Sequence, residues 1–249
     1  GRGQRSDHGK VDLVLRRSLD DGSTWSPLLV VHHEEHHTIG NPAPLYDDPE
    51  IVLFFCRDNE EILQTRSTDY GLTWSPPAQL SWSRPFDWAW VAAGPPASLR
   101  LRSGRWLIPC DGLKGDRGVY RATSVFSFVL LSDDRGMTWR QSEPLLEGGN
   151  ECQAAELDDG TLLLNMRSRE TKRLQSRSTD GGDTWSAAKA ASPPVIDGNA
   201  QGSMITVITA EGTRMLMATS TGVGRRVLTA RSSIDGGRTW QTHAVVEKA

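Results

Sequence analysis

One eight-residue pattern, S-x-D-x-G-x-T-W, occurs five times in the 249 residues, beginning at Ser18, Ser67, Ser132, Ser178 and Ser233. A motif returning at such intervals marks a structural unit repeated along the chain and stabilised by stacking on its neighbours. The chemistry of the pattern is that of a turn. Ser and Asp side chains hydrogen-bond nearby backbone N–H groups, Gly accepts positive φ without steric cost, and Thr-Trp opens a new strand with the indole available beneath the turn. Each copy is therefore expected to be a hairpin bend between two strands.

Strand signals recur at similar offsets around these bends. Immediately before them run residues 11–17, 61–66, 126–131, 173–177 and 227–232. Further upstream come 51–56, 106–110, 161–166 and 214–219, and earlier still 42–46, 96–101, 152–157 and 202–207. A weaker strand follows each Trp, such as 242–247. One repeat thus reads as four antiparallel strands, with the bend joining the third to the fourth, which is the blade of a β-propeller. Four complete blades are expected, at about residues 40–85, 92–148, 151–195 and 201–247, preceded by half a blade at 11–31. A closed ring cannot stop at four and a half blades without leaving open sheet edges. The count therefore predicts an all-β propeller domain spanning 1–249 that is truncated at both ends and marginal in isolation.

Composition narrows the function classes. Hydrophobic residues make up 37%, charged residues 24%, and the net charge is −3. No basic surface suited to nucleic acid is implied. No apolar run approaches the ~18 residues of a membrane span. Three widely spaced cysteines, Cys56, Cys110 and Cys152, suggest neither a disulfide framework nor a zinc site, and the compartment stays open.

The repeat and its flanks together resemble the sialidase (neuraminidase) family, whose six-bladed propellers carry this motif as the Asp box. The segment from Ser6-Asp7-His8-Gly9 to Leu15-Arg16-Arg17-Ser18 is similar to the family segment ending in its first Asp box. Gly149-Asn150-Glu151-Cys152-Gln153 through Asn165-Met166-Arg167-Ser168 is similar to its Glu and second-arginine hairpin. Gly40-Asn41-Pro42, Gly94-Pro95 and Gln201-Gly202-Ser203 match at blade starts.

The resemblance implies an exo-α-sialidase that removes terminal sialic acid from glycoproteins, glycolipids or oligosaccharides with retention of configuration and without cofactor or metal. The substrate carries a carboxylate on its anomeric carbon, which repels a carboxylate nucleophile; the family uses Tyr instead. Its residues carry over as Asp7 for the general acid and base and Glu151 for the partner of the nucleophilic Tyr. Arg167 and Arg225 are two members of an arginine triad that clamps the substrate carboxylate. Arg226 replaces Arg225 if the register slips by one, and Asn41 is a further substrate-binding candidate. The first triad arginine, in an Arg-Ile-Pro segment, and the Tyr, in a Tyr-Ser segment, have no match; the tyrosines are Tyr46, Tyr70 and Tyr120. A non-catalytic glycan- or protein-binding propeller and a trans-sialidase-like transferase are the alternatives.

Blade geometry supports the grouping separately. The start of strand one and the loop between strands two and three lie at the same end of an antiparallel blade. Glu151 opens a first strand, Arg167 closes a second, and Asp7 and Arg225 sit in two-to-three loops. All four should meet on one face, with the Asp boxes opposite. Blander readings stand beside these: Asp7 as a surface acid, and Glu151 with Arg167 as a plain cross-strand ion pair. Trp88 and Trp90 read as packing residues rather than sugar platforms. Residues 111–117 fall on the presumed active face and could tune substrate choice. His33-Glu34-Glu35-His36-His37 satisfies H-E-x-x-H, but that zinc motif needs a helix, and nothing here has helical period.

Overall fold

The structure is a computed structural model that describes residues 9–83, 88–115, 125–143, 145–210, 212–221 and 225–248. Among them there is no helix. Strands β1 (Leu13–Leu15) and β2 (Leu29–His32) form a two-stranded pair. Next comes a four-stranded sheet of β3 (Ile39–Asp47), β4 (Glu50–Arg57), β5 (Glu61–Ser67) and β6 (Ala78–Gln79). The following sheet holds β7 (Trp88–Ala93), β8 (Leu99–Arg100), β9 (Trp106–Lys114), β10 (Val125–Ser132), β11 (Arg140–Gln141) and β12 (Leu146–Glu147). Then come β13 (Gly149–Glu156), β14 (Leu162–Ser168), β15 (Leu174–Ser178) and β16 (Lys189–Ala190). The last sheet is β17 (Ser203–Thr209), β18 (Gly212–Thr221), β19 (Val227–Ser233) and β20 (Gln241–Lys248). All pairings within sheets are antiparallel and follow chain order, apart from the extra partners β8 and β12.

One expected strand is displaced. The first strand of the third sheet is β7, at Trp88–Ala93, rather than a continuous run over 96–101; β8 resumes pairing with β9 only at Leu99. Pro95 and Pro96 have no N–H to donate to β9, so the ladder breaks there. Gly94 sits at that break because nothing larger fits. A Cβ on it would lie 2.7 Å from the Cys152 carbonyl oxygen and 2.9 Å from that of Pro109.

Apolar side chains form layers between successive sheets. Phe54, Trp106, Ile108, Phe128 and Leu130 fill the layer between the β3–β6 and β7–β12 sheets. Leu107, Leu131, Leu162, Leu164 and Met166 fill the next, and Leu163, Met204 and Met215 the one after. Three of the Asp-box tryptophans plug these layers. Trp139 meets Phe54 edge-on, with centroids 5.4 Å apart, Trp185 enters the following layer, and Trp240 packs beside Met215. On the last sheet, Ile205, Ile208 and Val245 lie exposed.

All five Asp boxes adopt one geometry. In the second, Gly71 N donates to Ser67 Oγ at 2.8 Å, Thr73 N to Asp69 Oδ1 at 2.9 Å, and Trp74 Nε1 to Gly71 O at 3.2 Å. The box glycines all have positive φ, from 79° at Gly237 to 94° at Gly182. The residue before each glycine is left-handed too, even where it is Asp21, Tyr70 or Arg135. The Thr hydroxyl, the Thr N–H and the Ser hydroxyl hold the carboxyls of Asp20, Asp69 and Asp134 down at about 2. Partial burial pushes Asp180 and Asp235 upward, but the same hydrogen bonds outweigh it and they also sit at about 2. A carboxyl held below its unfolded value stabilises the fold above that value, and the contribution disappears as pH falls through the folded value. The urea midpoint is therefore expected to fall steeply as pH drops from about 4 to about 2. Replacing the box aspartates by Asn should flatten that slope in an equilibrium unfolding series.

Candidate active site

The ends of the blades opposite the Asp boxes surround a cavity of about 1290 Å³. Its wall comes from the starts of first strands (Gly40, Asn41, Trp90, Glu151), the ends of second strands (Asp111, Arg167) and the turns beyond them (Asp58, Asn59, Arg169). This is the face on which antiparallel connectivity places those positions, and it brings together Asn41, Glu151 and Arg167. Asp7 and Tyr120 lie outside the described residues. Arg225 and Arg226 sit at this end of their blade, just before β19, but both are exposed and neither is among the described residues lining the cavity. Tyr46 is at the opposite end, with its hydroxyl donated to Asp48, and Tyr70 is inside an Asp box.

Local backbone irregularity aims the polar groups. Gly149 pairs with Ser168 and Cys152 with Met166, so Asn150 and Glu151 together oppose the single residue Arg167. Such a bulge turns successive side chains away from strict alternation. Glu151 Oε2 lies 2.7 Å from Arg167 Nη1, while Asn150 donates its amide to Asp111 Oδ2 at 3.1 Å. A comparable shift follows Gly40 in β3, where Asn41 lines the cavity with a left-handed φ of 53°. A third lies between Trp88 and Trp90 in β7. Three successive sheets thus bulge at the same end, around the same space.

Arg167 is held from both sides. Its Nε donates to Asn199 Oδ1 at 2.8 Å, and its Nη1 meets Glu151. Asn199 stands on the connection between β16 and β17, and a buried ion pair anchors that connection. The Arg173 and Asp197 side chains are 0% and 1% exposed and meet at 2.7 Å. Arg173 also donates to Asn165 Oδ1 and to the Ala200 carbonyl, and Asp197 Oδ1 accepts the Ala200 N–H. Sequence reading found Glu151 and Arg167 but missed Asn150, Asn199 and the Arg173–Asp197 support. No short motif marks them, because they act through contacts made only once the blades pack.

The two tryptophans divide between the roles considered for them. Trp88 stacks on Phe128, with centroids 5.0 Å apart and planes at 20°, as a packing residue does. Trp90 is partly buried and faces the cavity. The H-E-x-x-H segment is an irregular, bent connection between β2 and β3, not a helix. His33 pairs with Asp12 and His37 with Asp58, each at 2.6 Å, so the two imidazoles serve different acids.

An all-β stack of Asp-box blades with a carboxylate–guanidinium pair at the opposite end defines a class, and the chain belongs to the family described as the BNR repeat-like domain, which it matches over residues 1–249. Within that family it is similar to Sialidase-2 of Rattus norvegicus, 34% identical over 229 residues that cover 78% of this chain and 60% of that one. It is also similar to Sialidase-4 of Homo sapiens, 34% identical over 230 residues covering 78% of this chain and 47% of the relative. The chain thus spans roughly half to three-fifths of the length of these relatives. Its fold is that of the solved sialidases. A Hadza microbial sialidase superposes with a TM-score of 0.82 at 24% identity, covering 95% of this chain and 52% of that one.

Proposed function

We propose that this chain forms the greater part of an exo-α-sialidase site that binds the terminal sialic acid of a glycan. The observation that carries this reading is the Glu151–Arg167–Asn199 array, which presents an oriented guanidinium to a cavity roomy enough for a terminal sugar and part of its glycan. The solved Trypanosoma rangeli sialidase in complex with sialic acid shares the fold, with a TM-score of 0.79. Arg167 binds the substrate carboxylate by charge-assisted hydrogen bonds, and Arg225 or Arg226, at the same end of the last blade, would have to swing in to join it. Asn41 and Trp90 contact the sugar from the neighbouring sheets. Glu151, already paired with Arg167, lies beside the anomeric centre, where it assists a tyrosine nucleophile, and Asp7 supplies the proton to the leaving oxygen. Configuration is retained because two displacements occur in succession.

The test compares calorimetric binding of a methyl α-sialoside with that of a methyl β-galactoside. Saturable binding of the sialoside, with none of the galactoside at tenfold higher concentration, is expected. Equal affinity for the two would overturn the reading, because a neutral sugar has nothing to offer Arg167.

A further inference from the structure

Asp111 is the one carboxyl among the described cavity-lining residues that lies fully inside the protein, 1% exposed. It sits in the centre of its sheet, opposite Ala92 of β7 on one side and Ser127 of β10 on the other. Its two oxygens are unequal. Oδ2 accepts the Asn150 amide, whereas Oδ1 has no partner among the described residues. A buried carboxylate with a bare oxygen is a costly arrangement. A carboxylic acid in the same place is not, because its O–H can turn toward the cavity and serve as a donor.

The surroundings favour the neutral form. Burial first, and then the Glu151 carboxylate, push Asp111 well above the usual carboxylate range; Arg167 opposes them and is outweighed. The guanidinium is already committed to Glu151 and Asn199. Among the described residues, the other titratable groups facing Asp111 are the thiols of Cys56, Cys110 and Cys152, all buried and all pushed upward, Cys56 to about 12. None supplies a positive charge.

We propose that Asp111 is a specificity-determining residue that enters the binding site as a neutral acid and donates its Oδ1–H to an uncharged oxygen, a hydroxyl or carbonyl, of the acidic sugar held beside Arg167. The sugar's identity rests on the sialic acid reading above; the donor role rests on Asp111 itself. A second consequence concerns charge. With Asp111 neutral, the carboxylate of Glu151 is matched by Arg167, and Asp111 adds no further negative charge beside that pair. Once Asp111 ionises, the donor disappears and a like charge replaces it. Ligand affinity must therefore fall as pH rises through the Asp111 titration.

The experiment measures methyl α-sialoside affinity between pH 5 and pH 9 for the wild type, Asp111→Asn and Asp111→Ala, each checked for cooperative unfolding. An amide keeps a donor at this position and cannot ionise. Asp111→Asn should bind within about threefold of the wild type at pH 5 and hold that affinity to pH 9, while the wild type weakens tenfold or more. Asp111→Ala should bind about tenfold more weakly at pH 5, the loss of one buried hydrogen bond. Parallel pH profiles for wild type and Asp111→Asn, or equal weakness of the Asn and Ala variants at pH 5, overturn the proposal.

A ligand-free measurement separates this from the sialidase reading. In carboxyl-labelled protein, the resonance missing from Asp111→Asn should titrate far above its neighbours; a midpoint near 4 overturns the neutral-donor role whatever binds. Stability gives the same sign. An acid whose folded value is raised destabilises the fold as pH rises above its unfolded value. The Tm advantage of Asp111→Asn over wild type should therefore be absent at pH 4 and grow toward pH 8. Failure of wild type to bind the sialoside at any pH overturns the sugar assignment, and the titration still decides the state of Asp111.

Discussion

Arg173→Met is expected to lower the unfolding free energy by about 3–5 kcal/mol, the usual consequence of stranding one partner of a buried ion pair. The substitution keeps the volume and chain shape of the arginine stem but removes every charge-assisted bond it makes. Asp197 would be left 1% exposed with a bare Oδ2, and Asn165 Oδ1 and the Ala200 carbonyl would also lose their donor. Urea denaturation checks the magnitude. The double variant Arg173→Met/Asp197→Leu should recover most of the stability, because an apolar pair of similar volume carries no buried charge. It should not recover ligand binding, because the 197–200 turn that carries Asn199 would no longer be tied at both ends. If the double variant regains both, Asn199 does not depend on this anchor and the support assigned to it is mistaken.

Arg167→Ala should weaken α-sialoside binding by about 10²- to 10³-fold, equivalent to about 3–4 kcal/mol. Two effects add. The guanidinium that would meet the ligand carboxylate is gone, and Glu151 then faces that carboxylate without its own counter-charge. Arg167→Lys should restore little, since an ammonium cannot bridge Glu151 and Asn199 while also offering a planar fork to the ligand. Stability should change by under about 1 kcal/mol, because the pair is partly solvated; its side chains are 23% and 25% exposed. Calorimetry on variants with unchanged Tm separates the two effects. A loss smaller than fivefold would remove Arg167 from the ligand contacts.

The parts of the molecule that could be read from sequence are those fixed by local chemistry. The Asp box is legible because Ser, Asp, Gly and Thr satisfy one another within eight residues, as the bonds around Ser67, Asp69, Gly71 and Thr73 show. Strands β5, β10, β15 and β19 are legible because each runs directly into one of those boxes. The pairing of Glu151 with Arg167 follows from hairpin spacing alone. What stayed hidden depends on contacts between sheets. The bulges at Asn41, Ala89 and Asn150 have no fixed residue signature. The strand read over 106–110 is longer in the structure, where it is β9. It continues to Lys114, since the Asp111 carboxyl finds Asn150 across the gap and need not reach water. Arg173 was placed in an ordinary strand, and nothing in its neighbours reveals that Asp197 closes over it.

Asp111, the Glu151–Arg167 pair and Asn199 come from three successive stretches of the chain, and between them lie oily layers that touch no ligand. The aperture of the cavity is therefore set by the thickness of those layers. Enlarging Ala154 or trimming Leu164, both in the layer beneath Glu151, would spread or narrow the gap between donors without altering one of them. Such a scaffold can be retuned from behind, its preference for larger or smaller ligands drifting through substitutions that resemble neutral changes in packing.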